Sequence, residues 1–175
     1  NDTIYGEDGD DTLRGDAGAD TFIFTYSTDT FDGDDSIDGG ADSDTIDYSA
    51  IIDSQYYAEI DLTSSTSTIK NYSNSNAIVK TDTITSIENA IGTSGADTFR
   101  GNNLQNSLNG GPGTDTILYT FAALTAGITA NLNAGTVEKT VSSGTITDTI
   151  TSIENIIGSD FDDIFITKLT TANII

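Results

Sequence analysis

The feature that most constrains the fold is a unit of nine residues that recurs through much of the chain. Each unit begins with a glycine-rich stretch of six residues that ends in an acid, as in GDAGAD at 15–20 and GTSGAD at 92–97. A short segment such as TFI or TFR follows, in which one large apolar residue lies between two neighbours. Because side chains alternate along a β-strand, each unit is predicted to be a six-residue turn, hereafter a hexad, followed by a three-residue strand.

The residues that end the hexads lie at regular steps. Nine-residue spacing relates most of them, and an insertion of six residues interrupts the series once: Asp2, Asp11, Asp20, then Asp35, Asp44, then Glu88, Asp97, Asn106, Asp115, and finally Glu154, Asp163. The residue two positions later is apolar, as in Leu13 and Phe99. A step this regular indicates a repeat architecture in which each coil buries one apolar side chain per strand.

The unit, written G-G-x-G-x-D-x-U-x with U a large apolar residue, resembles the RTX repeat, also called the hemolysin-type calcium-binding repeat. The resemblance is strong at 1–23, 33–47 and 92–118. It implies an all-β chain folded as a right-handed parallel β-roll or β-helix solenoid, in which successive turns alternate between two edges. It also implies several Ca²⁺ ions, each held between two turns stacked on the same edge.

The residue types suit calcium independently of the resemblance. Calcium takes about six to eight hard oxygen ligands from carboxylates and backbone carbonyls. Glycines let carbonyls turn towards one point, and an aspartate at the end of each hexad adds a short-armed negative charge. The predicted metal-binding residues are Asp2, Gly6, Gly9, Asp11, Gly15, Gly18, Asp20, Gly33, Asp35, Gly39, Gly40, Asp44, Gly92, Gly95, Asp97, Gly110, Gly111, Gly113, Asp115 and Asp163.

Stacking on two edges predicts which acids share an ion. The pairs are 18 residues apart, or 24 apart if an insertion at 24–29 bulges without changing edge: Asp2 with Asp20, Asp97 with Asp115, Asp11 with Asp35, and Asp20 with Asp44.

Two units depart from the pattern. The hexad of Asn106, GNNLQN, has lost its fourth-position glycine, so an asparagine that continues the stack is favoured there over a calcium site. Asp163 ends GSDFDD, which keeps one glycine, and an ordinary turn aspartate is an equally good interpretation of it.

The chain is strongly acidic, with 28 Asp and Glu residues against six Lys and Arg and a formal net charge of −22. Self-repulsion of this size opposes compaction unless cations are supplied. Leu, Ile, Val and Phe make up about 23% of the residues, only a little above the ~20% below which a highly charged chain is disordered. We therefore expect a fold that is marginal without calcium, and about four to six ions would cancel roughly half of the charge.

The same composition excludes several classes of function. Negative charge makes nucleic acid a poor partner, and no apolar run approaches the ~18 residues of a membrane span, so no membrane insertion is expected. The sequence has no cysteine and no histidine, which excludes disulfides, Cys- or His-ligated zinc and Ser-His-Asp catalysis. Because the clustered acids already have a calcium role, we expect the chain not to be an enzyme.

A longer repeat overlies the short one, since 82–101 matches 148–167 and 44–50 resembles 115–121. We therefore predict one RTX domain over 1–175, with nonapeptide turns at 1–23, 33–47, 92–118 and 158–166, and longer β coils at 48–91 and 119–157. Strand-like runs rich in Ile, Thr and Tyr lie at 56–62, 77–91, 128–132 and 146–157. The polar stretches 63–76 and 139–144 are predicted to be hairpin tips or loops.

The resemblance implies a calcium-binding structural module of a secreted or cell-surface protein, exported unfolded by type I secretion and folded on Ca²⁺ outside the cell. Because the first five residues already lie inside a repeat, we expect a segment of a longer protein. Its parent is expected to be an adhesin or an S-layer-like surface protein. The alternative is an accessory C-terminal module of a secreted metalloprotease, lipase or alginate epimerase, or of a pore-forming toxin. The expected partners are further copies of the chain, through calcium-dependent self-association, or other domains of the parent. Self-association on adding calcium would separate the two kinds of parent, because a lattice component should show it and an accessory module should not.

Overall fold

The computed structural model describes residues 1–27 and 30–166, which are almost entirely β-strands and turns. The one helix in these ranges is a short 3-10 helix at Tyr72–Asn74, and it is not long and apolar enough to cross a bilayer. The strands are β1 (Thr3–Tyr5), β2 (Thr12–Arg14), β3 (Thr21–Ile23), β4 (Tyr26–Ser27), β5 (Thr30–Phe31), β6 (Ser36–Asp38), β7 (Thr45–Asp47), β8 (Tyr56–Asp61), β9 (Thr66–Asn71), β10 (Ala77–Thr85), β11 (Asn89–Ile91), β12 (Thr98–Arg100), β13 (Ser107–Asn109), β14 (Thr116–Leu118), β15 (Thr129–Asn131), β16 (Thr136–Val141), β17 (Gly144–Thr151), β18 (Asn155–Ile157) and β19 (Ile164–Ile166).

Successive strands of the nine-residue units alternate between two sheets. The first sheet has the order β1-β3-β7-β11-β13-β17-β16-β15-β19, and the second has the order β18-β14-β12-β8-β9-β10-β6-β2. Neighbouring strands of the units pair in parallel, for example β3 with β7 and β12 with β14. The predicted all-β fold, with parallel strands wound between two edges, is confirmed.

The register shows which coils are stacked. Ile4 lies opposite Phe22, 18 residues later, and Leu13 lies opposite Ile37, 24 residues later. The extra six residues are accommodated by the short antiparallel pair of β4 and β5, after which the chain returns to the sheet that the alternation requires. The insertion therefore bulges without changing edge.

The two longer coils differ from the prediction in their topology. Each is a three-stranded antiparallel meander, β8-β9-β10 in the second sheet and β15-β16-β17 in the first. The outer strands of each meander pair in parallel with unit strands, so a meander stands where the solenoid would have one strand. The stretch 63–76 was predicted as a tip or loop, but the middle strand β9 lies inside it, with Ser67 and Ile69 fully buried. A β-strand that buries only alternate residues can be polar overall, and for this reason the polar composition of 63–76 did not indicate a strand. The predicted tip 139–144 is also shorter than expected, because 139–141 belong to β16 and 144 begins β17.

One apolar core is shared by the two sheets. The middle residue of most three-residue strands is buried, as in Phe22 and Ile46 of the first sheet and Ile37 and Phe99 of the second. The unit at 158–166 forms the parallel strand β19, but its central residue, Phe165, is 47% exposed. The apolar side chains that alternate into the core thus hold the two sheets together, and hydrogen bonds between stacked turns fix the turns along the two edges.

Candidate calcium sites

The acids that end the hexads form a ladder on each edge of the solenoid. The first ladder consists of acids that precede strands of the first sheet, and the second ladder of acids that precede strands of the second sheet. In each rung, the Oδ1 atom of one acid accepts the backbone N–H of the hexad-ending residue in the coil before it. The distances from N to Oδ1 are 2.5 Å for Asp2 to Asp20, 2.8 Å for Asp20 to Asp44, 2.9 Å for Asp11 to Asp35 and 2.8 Å for Asp97 to Asp115. All four pairs that the spacing predicted are therefore stacked, and Oδ1 is committed to the backbone.

The second carboxylate oxygen, Oδ2, is the one available to a cation. The Oδ2 atoms of Asp11, Asp20, Asp44 and Asp115 are buried and have no hydrogen-bond partner. A buried anionic oxygen without a partner is costly, and a bound cation removes that cost. Burial raises the pKa of Asp44, and it raises the pKa of Asp115 to about 6.

Backbone carbonyls converge on the same positions. A side chain at Gly15, the first residue of its hexad, would collide with the carbonyl oxygen of Gly39 and, at 2.5 Å, with Oδ2 of Asp20. One coil further, a side chain at Gly39 would collide with the carbonyl oxygen of Ser86 and, at 2.6 Å, with Oδ2 of Asp44. Carboxylate and carbonyl oxygens that face one small space form the donor set that calcium prefers, so these residues fit the ion.

The other predicted glycines form the turns themselves. These ten lie at the first, second or fourth position of a hexad. In four hexads both the second and the fourth residues have positive φ, a conformation that suits glycine: 7 and 9, 16 and 18, 40 and 42, and 111 and 113. Fourth-position glycines of stacked turns lie backbone to backbone, since a side chain at Gly33 would strike Gly9 and one at Gly113 would strike Gly95.

Asp97 differs from the four orphaned acids. Its Oδ2 accepts the N–H of Thr93 at 2.8 Å, and its Oδ1 accepts the Thr93 hydroxyl at 2.8 Å and the N–H of Ala58 at 2.6 Å. Asp163 is satisfied in the same way by the N–H and hydroxyl of Ser159, at 2.9 and 2.7 Å. The metal role of these two acids stays a prediction, and it lacks the buried unpaired oxygen that supports the others. A hydroxyl residue at the second hexad position is the sequence signal for this closed turn.

Two acids outside the predicted ligand set also face the ladders. Glu88 Oε2 accepts the N–H of Asp44 at 3.0 Å, and Glu154 Oε2 accepts the N–H of Asp115 at 2.9 Å. Each is the last residue of a connection of only three residues, between β10 and β11 for Glu88 and between β17 and β18 for Glu154. The longer side chain of glutamate reaches from this short turn to where aspartate reaches from a hexad. Sequence analysis placed both glutamates on the nine-residue ladder but did not include them among the ligands.

Two further acids of the ladders lie in the meanders, where no hexad precedes them. Asp82 Oδ1 accepts the N–H of Asp35, and Asp148 Oδ1 accepts the N–H of Asn106, both at 2.9 Å. Asn106 thus continues the stack, as predicted. The signal that could have located both acids is the triplet Asp-Thr-Ile, which recurs at 44–46, 82–84, 115–117 and 148–150.

No group of three or more acidic side chains within residues 1–27 and 30–166 is arranged to hold a metal by itself. Any calcium ion there therefore needs backbone carbonyls beside one or two carboxylates, which is the combination found at Gly15 and Gly39.

Filling one of these spaces should remove one ion. We expect Gly110→Ala to lower the calcium stoichiometry by one, because its new methyl group would meet the carbonyl oxygen of Ser152 and Oδ2 of Asp115. Isothermal titration calorimetry measures the number. Gly101→Ala is the matched control, since Gly101 also begins a hexad but its methyl group would meet the Asn106 amide oxygen at 2.6 Å. An equal loss of calcium from both variants would contradict the assignment of the site to Asp115.

The comparison with protein families agrees with this geometry. The RTX calcium-binding nonapeptide repeat matches the chain in four copies, over residues 1–23, 30–50 and 90–119. All four orphaned aspartates lie in the matched ranges, and the two meanders lie almost wholly outside them. No curated protein sequence matches the chain. The repeat is a calcium-binding structural unit and not a catalytic one, and the chain therefore contains RTX repeats, which bind calcium ions.

Proposed function

We propose that residues 1–175 act as one structural domain that folds when calcium reaches it outside the cell. The observation that carries the proposal is the set of four buried carboxylate oxygens with neither a hydrogen bond nor an ion pair, at Asp11, Asp20, Asp44 and Asp115; a fifth without a hydrogen bond, Asp32 Oδ1, is paired with the Lys80 ammonium group. They belong to a chain whose formal net charge is −22. The shared sheets, in which unit strands pair with meander strands, support a single domain.

Linkage turns such sites into a folding switch. An ion that binds only the native state adds RT ln(1 + [L]/Kd) to its stability. Extracellular calcium modules bind with Kd values of about 10⁻⁴ to 10⁻³ M. Several sites of this strength leave the chain unfolded at the low calcium concentration of a cytoplasm and fold it where calcium is plentiful. An unfolded state before export suits type I secretion, and the family resemblance supports that route.

For the parent protein, we propose an adhesin or an S-layer-like surface protein. The support is the lack of a catalytic family match together with meanders that broaden the solenoid in both sheets. The edge strands β18 and β19, one in each sheet, also leave Ile157, Ile164 and Phe165 between 47% and 59% exposed. An exposed apolar surface of this kind suits contact with a further domain or with a second copy of the chain.

Sedimentation velocity tests the folding switch and the parent together. A disordered chain of this length has a radius of gyration of about 44 Å and a compact one about 16 Å. We expect an expanded monomer in chelator and a compact species in millimolar calcium. A lattice component should then also form calcium-dependent oligomers, whereas an accessory module should stay monomeric. A species that is equally compact in chelator would contradict the folding switch.

A further inference from the structure

One rung of the second ladder already holds a positive charge. The ammonium group of Lys80 is buried, and its side chain is 1% exposed. Its Nζ lies 2.9 Å from Asp32 Oδ1, 2.7 Å from Asp35 Oδ2 and 2.9 Å from Asp82 Oδ1. It also donates to the carbonyl oxygen of Gly33 at 2.5 Å. Three carboxylates and one carbonyl therefore surround a single cation that belongs to the chain itself.

This ammonium lies between consecutive rungs of the ladder. Asp35 ends a hexad, and Asp82 is the acid stacked directly after it, because Asp82 Oδ1 accepts the Asp35 N–H. Strands β6 and β10, which follow these two acids, pair in parallel with Ile37 opposite Ile84. Asp35 and Asp82 differ from the four orphaned aspartates in one respect, which is that Lys80 satisfies them.

The surroundings hold the ammonium in place. The ring of Phe24 covers Nζ, with 4.6 Å between Nζ and the ring centroid. The hydroxyl of Tyr48 donates to the remaining oxygen of Asp82, Oδ2, at 2.5 Å. An ammonium group has three N–H donors and no acceptor, so it can serve several of the oxygens around it.

We propose that Lys80 is a built-in cation that takes the place of a calcium ion in the second ladder. The Asp35–Asp82 rung then binds no calcium, and this junction between the repeats and the first meander is neutralised before any calcium arrives. The inference rests on the proposed calcium role of the orphaned ladder acids. It adds that the ladder contains a latent calcium site, made of Asp32, Asp35, Asp82 and the Gly33 carbonyl. With Lys80 in place these oxygens are arranged around its ammonium group and not around a metal ion, so the site becomes available only when the lysine is removed.

A second lysine reaches the corresponding place in the other sheet. The Lys139 side chain is fully buried, and Nζ lies 2.8 Å from Asp148 Oδ2 and 3.0 Å from the Asn106 amide oxygen. Nζ also donates to the Asn102 carbonyl oxygen at 2.8 Å. The ring centroid of Phe121 lies 5.7 Å from Nζ, as Phe24 lies near Lys80.

The two lysines reach these places from different strands. Lys80 lies on the third strand of its meander, opposite Ile69, and Lys139 lies on the second strand of its own, opposite Ile146. The offset that relates the two long repeats places Ile146 where Lys80 stands. The lysine and the isoleucine have therefore exchanged strands while the ammonium still meets the ladder. What the two meanders share is therefore the place of the ammonium group beside the ladder, and not the sequence position of the lysine.

The two cages differ in charge. Lys80 faces three carboxylates, and these, with Asp82 foremost, raise its pKa although burial alone would lower it. Burial lowers the pKa of Lys139, and the single carboxylate of Asp148 only partly opposes this. Removal of Lys80 would leave three carboxylates without a counter-charge, whereas removal of Lys139 would leave one carboxylate among neutral oxygens, so the Lys80 cage should accept an ion when its lysine is removed and the Lys139 cage should not.

Lysine removal and calcium counting test the proposal. We expect Lys80→Ala to bind one calcium ion more than the unsubstituted chain in equilibrium dialysis at saturating calcium. Lys139→Ala should bind the same number as the unsubstituted chain. Lys80→Met, which fills the space with an apolar side chain, should gain none. A folded Lys80→Ala chain with an unchanged calcium count would overturn the proposal.

A second variant keeps the test decisive if Lys80→Ala does not fold. In Lys139→Ala combined with Asn106→Asp, a second carboxylate joins Asp148, and we expect one additional ion relative to Lys139→Ala. No gain in that variant would overturn the proposal on its own. Failure of the calcium role itself is seen separately, because the unsubstituted chain would then bind no calcium.

Discussion

Chelation of calcium is expected to abolish most of the β-sheet circular dichroism signal and the cooperative thermal transition of this chain. At a calcium concentration ten times the Kd, one site adds about 1.4 kcal/mol, and three sites, one shared by Asp20 and Asp44 and one each at Asp11 and Asp115, add about 4 kcal/mol together. A native domain is stable by only about 5–15 kcal/mol. The ions thus supply a contribution comparable to the whole stability, and the chain should unfold without them.

Magnesium is the matched control for this result. It demands a tight octahedron and keeps several of its waters, so a pocket made of one or two carboxylates and backbone carbonyls suits it poorly. We expect equal concentrations of magnesium to restore little of the signal, whereas simple screening of the −22 charge would make the two ions equivalent. Full β content and an unchanged Tm in chelator would show that the calcium sites do not control folding.

The sequence predicted the repetitive part of the fold well because its information there is local and periodic. A hexad followed by one apolar residue determines a strand, and nine-residue steps determine which edge it joins. The pairing of Leu13 with Ile37 across the insertion followed from the same rule. The middle strands of the meanders were missed because β9 buries only alternate positions, and Ser67 is one of them. The mostly polar composition of such a strand is also typical of a loop.

The candidate sites were predicted at the level of residues but not of atoms. Every predicted aspartate pair is stacked, but only hydrogen bonding distinguishes Asp20, with a free Oδ2, from Asp97, whose oxygens Thr93 satisfies. The role of Lys80 depends on contacts across 45 and more residues, to Asp35 and Asp32. No local spacing encodes such contacts. The ladders thus contain acids with an orphaned oxygen, acids that a hydroxyl residue satisfies, and acids that a lysine of the chain neutralises.

Stacked aspartates should be strongly coupled through the ion that they share. Asp20 and Asp44 are adjacent in the first ladder, with Asp44 Oδ1 2.8 Å from the Asp20 nitrogen, and both have an orphaned Oδ2. Asp→Asn keeps the oxygen that accepts the backbone N–H but removes the charge. Loss of the ion should cost each single variant about 1.4 to 2.7 kcal/mol when calcium is ten to a hundred times the Kd. Because the first substitution already removes the ion, the double variant should cost little more.

The control pair is Asp44→Asn with Asp115→Asn, which removes the same group from two different ladders. Both aspartates have an orphaned Oδ2, but the strands that follow them, β7 and β14, belong to different sheets. Independent sites add within about 0.5 kcal/mol, so this double variant should lose the sum of its two single losses. Urea unfolding in saturating calcium gives all the free energies needed. If Asp20 and Asp44 prove as additive as the control pair, each aspartate serves a separate ion or none, and stacked turns do not share calcium.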